Sequence, residues 1–372
     1  MATDSAAELV SEPCAEQRPE LKAPGLRSTA QVIALARRYV EERFLGQPGF
    51  HGAHLVGSII HADGDAPFPT YRDVDIAIVL DTDEHQKIEE VVREGYILEC
   101  ILSASSRYRS AEDILTNPGM ACNLQKNSVI VDPHGELARL HQAVAEGFAK
   151  RYWVRRRAAS GVKSAMASIA LMQRARNPVE AVHGLCEFIM YCSECITVAH
   201  LEAPTHRRSL ANLSVTLGDT AEERALHEEI LAAFGTAQLG EAQVRGFLRQ
   251  CTEAFDRAIV VRRTPVPFDW KLDPCIRDYL EKGTLEVIDE GLHRESIFWI
   301  ALFFAISTIA IQQDGLPEEK ALYGARFKAF LDALGLGSPA AIEQRIAQCL
   351  ALHTKVAAYV EHFVATSPLL ED

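Results

Sequence analysis

Two carboxylates two residues apart, Asp73 and Asp75, open an apolar run that reads Ile76-Ala77-Ile78-Val79-Leu80. Side chains alternate faces along a strand, so this run predicts a strand that begins with both acids on one face. Upstream, Ala53-His54-Leu55-Val56 is also strand-like and runs directly into Gly57-Ser58. The order is therefore strand, Gly-Ser turn, loop, and a second strand headed by paired acids. Few architectures use that order without a reason in the chemistry of the acids.

Paired carboxylates on one strand face suit hard divalent cations. Mg²⁺ takes a small number of carboxylates together with phosphate oxygens and water, and Mn²⁺ can stand in for it. Two such ions a few ångströms apart can activate an attacking oxygen and stabilise a leaving phosphate. Gly57 has no Cβ and lets the main chain come close to a polyphosphate. Ser58 adds a hydroxyl, and neighbouring backbone N–H groups can cradle an anion. The bland alternative is that Asp73 and Asp75 merely polarise a strand entry, and the Gly-Ser pair after its own strand argues against it.

On these residues, Leu55-Val56-Gly57-Ser58 followed by Arg72-Asp73-Val74-Asp75-Ile76-Ala77-Ile78-Val79, the chain resembles the DNA polymerase β-like nucleotidyltransferase superfamily. Within it, the resemblance is greatest to the small-molecule branch that includes the aminoglycoside nucleotidyltransferases. Two features depart from that pattern. The intervening loop, 59–72, is a few residues longer than is usual and carries Asp63, Gly64, Asp65 and two prolines, and Arg72 stands where a small residue is common. The resemblance implies a third metal carboxylate on a following strand. Glu99, inside Tyr96-Ile97-Leu98-Glu99-Cys100-Ile101-Leu102, is the best match, because a carboxylate in so apolar a strand is costly unless paired or metal-bound. Asp81, at the end of its strand beside Thr82 and Asp83, is the weaker candidate.

The resemblance further implies a Mg²⁺-dependent enzyme that moves a nucleoside monophosphate, AMP from ATP, onto a hydroxyl of a small molecule and releases pyrophosphate. Asp73, Asp75 and Glu99 would bind the metal, while Gly57, Ser58 and Arg72 would belong to the nucleotide site. As a strand residue, Arg72 would point away from Asp73. The alternatives are nucleotidylation of a macromolecule, such as a protein side chain or a tRNA end, and a nucleotide-binding regulatory module without turnover.

Charge bears on the acceptor. The chain of 372 residues has a net charge of −13. Residues 1–150 hold 14 basic against 23 acidic side chains, so the half with the paired acids is the more negative. A nucleic-acid enzyme more often shows a basic face. The balance favours a small, even cationic, acceptor over nucleic acid.

The nine cysteines follow no disulfide framework, and the start of the chain lacks a basic region followed by an apolar one. The expectation is a cytoplasmic protein with reduced thiols and no membrane segment. Cys192-Ser193-Glu194-Cys195 lies in a helical pattern, which favours buried helix cysteines over a redox or zinc site. His51, His54 and His61 lack further ligands at zinc spacing.

The predicted fold class is α+β: an N-terminal nucleotidyltransferase-type mixed β-sheet with flanking helices, followed by a C-terminal all-α helical domain. Residues 1–27 read as a disordered tail, 28–135 as the catalytic domain and 136–372 as a helical bundle that closes over nucleotide and acceptor. Ser28 predicts a helix cap. Further helices are expected over 84–93 and 111–116, the latter ended by Asn117-Pro118-Gly119, with a short strand at 128–131. A long helix is expected over 136–159, another over 178–201, one capped by Thr220 and Glu223, and a last one from Ser338-Pro339. The apolar run 296–311 is short for a membrane span and reads as a buried core helix. A dimer-interface helix is the other reading, and a homodimer stays open. On the helix from Pro178, His183, Glu187 and Glu194 share a face. Glu187 is the candidate acceptor anchor or base, against the plainer reading of a solvated helix stripe. Arg155, Arg156, Arg157, Lys163, Arg207 and Arg208 are the candidates for phosphate charge.

Overall fold

A computed structural model describes residues 26–82, 87–218 and 220–372. By contacts the chain divides into two units. One runs to Ile114 and resumes over Asn123–Ala143, and the other comprises Leu115–Cys122 and Val144–Asp372. The architecture is α+β, with one mixed five-stranded sheet in the N-terminal half and mostly helices after it. The expected tail, 1–27, lies outside the described residues as far as residue 25.

The first unit opens with α1 (Thr29–Phe44), whose start is fixed by a reciprocal cap between Ser28 and Gln31. Next come β1 (Phe50–Val56), a 3₁₀ turn (Gly57–His61), β2 (Asp73–Leu80), β3 (Lys87–Arg93) and β4 (Tyr96–Ala104). A second 3₁₀ turn (Ser105–Tyr108), α2 (Ala111–Leu115), α3 (Pro118–Leu124), β5 (Val129–Val131) and α4 (Glu136–Gly147) follow. The sheet order is β3-β4-β2-β1-β5. β2 and β4 run parallel, and the remaining neighbours are antiparallel.

Alternation gives the sheet two unlike faces. Val74, Ile76 and Ile78 of β2, with Leu98 and Cys100 of β4 and Ala53 and Leu55 of β1, are buried in one core with Val32, Leu35, Ala36, Tyr39, Val40 and Phe44 of α1. The opposite face carries Asp73, Asp75, Glu99 and His54, as the register requires.

Three local expectations are corrected or extended. The segment 87–93 is a strand, not a helix, and 84–86 lie outside the described residues. It joins β4 through a two-residue turn, with Arg93 opposite Tyr96 and with Glu94 and Gly95 at φ of 49° and 87°. Positive φ at both positions matches the twist of a hairpin. Asn117-Pro118 follows the end of α2, as expected, but also starts a further helix: the Asn117 side-chain oxygen accepts from the Met120 N–H at 3.0 Å, and Pro118 takes the first helical position. The expected helix 136–159 is two helices with a break at 148–150, where Lys150 is extended.

The second unit contains α5 (Arg151–Arg174), α6 (Pro178–Ala199), α7 (Ser209–Thr216), α8 (Ala221–Phe234), α9 (Glu241–Val261), α10 (Arg277–Asp289), α11 (Ile297–Asp314), α12 (Pro317–Ala333) and α13 (Pro339–Thr366). The Thr220–Glu223 capping box and the Ser338 cap form at α8 and α13. α5 and α6 approach closely because Gly161 meets Cys195 and Gly184 meets Met172, where a Cβ would stand 2.8 Å from its neighbour in each case. Both α6 and α11 are long and apolar enough to cross a membrane, yet 72% of each apolar window is buried inside the protein. Among the described residues Cys192 and Cys195 are buried in α6, and the Cys195 thiol donates to the Cys192 carbonyl at 3.2 Å.

Arg157 is fully buried and explains why 115–122 joins this unit. Its guanidinium donates to the carbonyls of Leu115 (3.1 Å) and Phe148 (2.6 Å), and its carbon lies 4.6 Å from the Phe148 ring centroid. The sequence pattern changes to helix after 135 and puts the boundary near 135–150, and the contact division falls after Ala143, within α4.

Candidate metal centre

The register of the sheet brings the acids together. Asp75 pairs with Val56 of β1 on one side and with Glu99 of β4 on the other, so Asp75 and Glu99 are side by side on one face. Asp73 is two residues before Asp75 on that face. One oxygen from each of Asp73, Asp75 and Glu99 lies within 4.8 Å of the other two. Asp73 and Asp75 are half-buried, and Glu99 retains 7% of its exposure.

Glu90, which the sequence pattern assigned to a helix, stands opposite Glu99 on β3 and is half-buried. Like charges opposite one another across strands are destabilising. Asp75, Glu99 and Glu90 therefore form a transverse row of acids on three neighbouring strands. A cation on this face would offset negative charge there. The donor set is three hard oxygens, which fits Mg²⁺ or Mn²⁺ and not a soft metal.

Gly57 closes the centre from the side. It has φ of +74°, and a Cβ there would lie 2.9 Å from Asp75 Oδ2. Its N–H donates to the side-chain oxygen of Asn123 at 3.2 Å. That donor is therefore engaged within the protein, and Gly57 leaves room for the Asp75 carboxylate. Ser58 follows and is exposed. Arg72 precedes β2, in a turn where its N–H donates to the Pro69 carbonyl at 3.1 Å, and its side chain is half-buried. Strand alternation thus does not fix its direction.

The long loop between the two motifs is fastened to the start of α1. The Thr29 N–H donates to the Ala66 carbonyl and the Ala30 N–H to the Gly64 carbonyl, each at 2.9 Å. Phe68 is buried beside Tyr96, with ring centroids 6.2 Å apart. The extra residues thereby form a buckle that leads the chain back to Asp73.

The histidines near β1 have three separate roles. His54, one pair along from Asp75 on the same face, is buried. Its Nδ1 donates to the Leu55 carbonyl at 2.9 Å, which leaves Nε2 to accept from the Tyr108 hydroxyl, also at 2.9 Å. That hydroxyl also lies 3.1 Å from Ser103 Oγ. Burial pushes the His54 pKa down to about 4, so the ring is neutral near pH 7. His51 bridges Asp81 (2.7 Å) and Glu136 (3.2 Å). Partial burial opposes its protonation, but the bonds to the two carboxylates outweigh that and raise its pKa. Asp81 also accepts from Ser105 at 2.7 Å and is exposed, which places it in this bridge and not among the three metal-type carboxylates. His61, at the end of the 3₁₀ turn, accepts from the Lys126 ammonium at 2.9 Å. Burial and that ammonium lower its pKa.

Glu187 belongs to the helical unit. It lies 3.3 Å from His183 and accepts from Ser168 Oγ at 3.4 Å. The bond from His183 lowers its pKa. Two turns on, burial raises the Glu194 pKa to about 7. Of the basic candidates in this unit, Arg157 and Arg207 are buried against main-chain carbonyls, and Arg208 pairs with Glu290 at 3.0 Å.

Sequence reasoning missed Asn123, Lys126 and Glu90. Asn123 and Lys126 carry no local signal, because their partners Gly57 and His61 are more than sixty residues away in the chain. Glu90 required the hairpin to be recognised. No protein-family model matches the chain, and no curated protein matches it significantly in sequence.

Proposed function

We propose that this chain is a Mg²⁺-dependent nucleotidyltransferase that moves AMP from ATP onto a hydroxyl of a small molecule and releases pyrophosphate. The observation that carries this reading is the convergence of Asp73, Asp75 and Glu99 oxygens within 4.8 Å, beside a glycine turn shaped to admit the Asp75 carboxylate. In the transfer, the acceptor oxygen bonds to the α-phosphorus and the bond from that phosphorus to the bridging oxygen breaks. Pyrophosphate leaves with the electron pair, and the hydroxyl proton passes to a carboxylate.

Asp73, Asp75 and Glu99 would hold the metal. A bound divalent ion supplies neutralisation of phosphate charge and polarisation of the phosphoryl oxygens. The residues of the chain do the rest. Glu99, on the strand beside Asp75, receives the acceptor proton. Gly57 keeps the Asp75 carboxylate within reach of the turn, and Ser58 offers its hydroxyl to a phosphate oxygen. Glu187, ionised beside His183, offers an anchor for an acceptor hydroxyl or amine on the helical unit. The negative balance of the first 150 residues favours a small acceptor over nucleic acid.

The test is release of pyrophosphate from ATP with Mg²⁺ and a pool of small polyhydroxylated and amine-bearing acceptors. The expected result is release that depends on Mg²⁺ and falls roughly a hundredfold or more in Asp75→Asn. Equal release from both proteins would remove the carboxylate centre from the mechanism.

A further inference from the structure

The end of α3 and the loop after it are docked on the 3₁₀ turn at two points. Asn123 accepts from the Gly57 N–H at 3.2 Å, at the start of the turn. The Lys126 ammonium donates to His61 Nδ1 at 2.9 Å, at its end. The same loop is anchored to the sheet, where the Leu55 N–H donates to the Ser128 carbonyl at 2.8 Å. Lys126 is therefore fixed along a turn whose first residue, Gly57, would bring a Cβ to 2.9 Å from Asp75 Oδ2.

The partner of Lys126 is a histidine and not an acid. Among the described residues no carboxylate forms an ion pair with Lys126, and its one polar partner is an imidazole. Three other basic side chains of this unit have an acid or a ring as partner: Arg27 and Arg38 share Glu94, and Arg93 lies over the Tyr39 ring at 5.3 Å. Lys126 is exposed, so its charge faces solvent beside the turn. A triphosphate carries more negative charge than one divalent ion neutralises, and a fixed ammonium is a suitable point charge for the remainder.

We infer that Lys126, held by His61, is the cation that binds the β- and γ-phosphates of the nucleoside triphosphate. This rests on the nucleotidyltransferase reading and assigns the polyphosphate subsite to the end of α3 and the loop after it, residues 123–128. Phosphate charge would then be met from within the sheet unit, without the helix arginines that the sequence pattern offers.

The test compares Mg²⁺-ATP, pyrophosphate and AMP binding by calorimetry to the full chain, to Lys126→Met and to Lys126→Arg. Thermal unfolding checks that each variant is folded, as an exposed side chain permits. The expected result is a loss of roughly tenfold or more in affinity for ATP and pyrophosphate in Lys126→Met. AMP binding stays within about twofold and Lys126→Arg retains most of the ATP affinity, because only the charge is required. Wild-type ATP binding with an unchanged Lys126→Met would overturn this inference and leave the nucleotidyltransferase reading standing. An equal loss for AMP and ATP would overturn the assignment to the β- and γ-phosphates. Absence of triphosphate binding by the wild-type chain would overturn both.

Discussion

Gly57 and Asp75 are in direct apposition: the glycine turns at φ of +74°, and the carboxylate occupies the space where a side chain would begin, 2.9 Å from an ideal Cβ. One residue thus meets two demands, a left-handed turn after β1 and room for the Asp75 carboxylate. Gly57→Ala costs about 1–2 kcal/mol for the left-handed conformation alone and displaces Asp75 as well. Gly95→Ala is the matched control, since Gly95 has φ of +87° with nothing within 4 Å of a Cβ. Both variants are expected to lower the melting temperature, and only Gly57→Ala is expected to weaken Mn²⁺ binding. Equal Mn²⁺ affinity in the two variants would show that the close approach to Asp75 is immaterial.

The buried His54 makes the protein acid-sensitive in a defined window. The folded protein binds its proton only near pH 4, whereas an exposed histidine does so near 6.5. The unfolded state therefore holds more protons between those values, and stability falls as pH drops from about 6.5 to about 4. The full effect is of order 3 kcal/mol. His200, lowered to about 4 mainly by burial, acts in the same direction. In His54→Phe the decline in unfolding free energy between pH 7 and pH 4.5 is expected to be shallower than in wild type. Parallel slopes would contradict a buried neutral imidazole.

Glu194 has the opposite sign. Burial raises its folded pKa to about 7, above the ordinary value of 4.5. The folded state holds the extra proton in between, so stability is lost as pH rises from about 4.5 to about 7. Glu194→Gln removes that penalty. The variant is expected to gain up to about 3 kcal/mol relative to wild type on going from pH 5 to pH 8. Chemical denaturation at the two pH values measures this, and a pH-independent difference would place Glu194 in contact with water.

Tyr108 holds His54 Nε2 at 2.9 Å inside the sheet unit. Tyr108→Phe leaves a buried ring nitrogen without that bond and is expected to cost about 1–3 kcal/mol of stability. Denaturant unfolding of the two proteins reads the difference directly. A change below a few tenths of a kcal/mol would mean that Ser103 or water replaces the hydroxyl.

Much of this architecture is legible from residues alone. Asp73 and Asp75 share a face because strands alternate, and Glu99 stands out as an acid in an apolar strand. Ser28, Thr220 and Ser338 announce their helices through side-chain caps. Other features depend on contacts that local pattern does not encode. Lys87–Arg93 places Ile88, Val91 and Val92 where either period is served, and pairing with β4 decides for a strand. Its turn uses Glu94, not the asparagine that usually signals such a hairpin. The break at 148–150 accompanies a buried arginine that binds a carbonyl in the break and another more than forty residues earlier. Asn123 and Lys126 acquire roles only when the loop that bears them meets the turn at Gly57.

The proposed function requires that Asp73, Asp75 and Glu99 form a divalent-cation centre. Its most direct test is Mn²⁺ titration of the full chain followed by electron paramagnetic resonance, with wild type and Asp75→Asn in parallel. Saturable binding by wild type, weakened roughly tenfold or more in Asp75→Asn, is the predicted result. Identical affinity in both proteins, or no saturable Mn²⁺ in wild type, would contradict it.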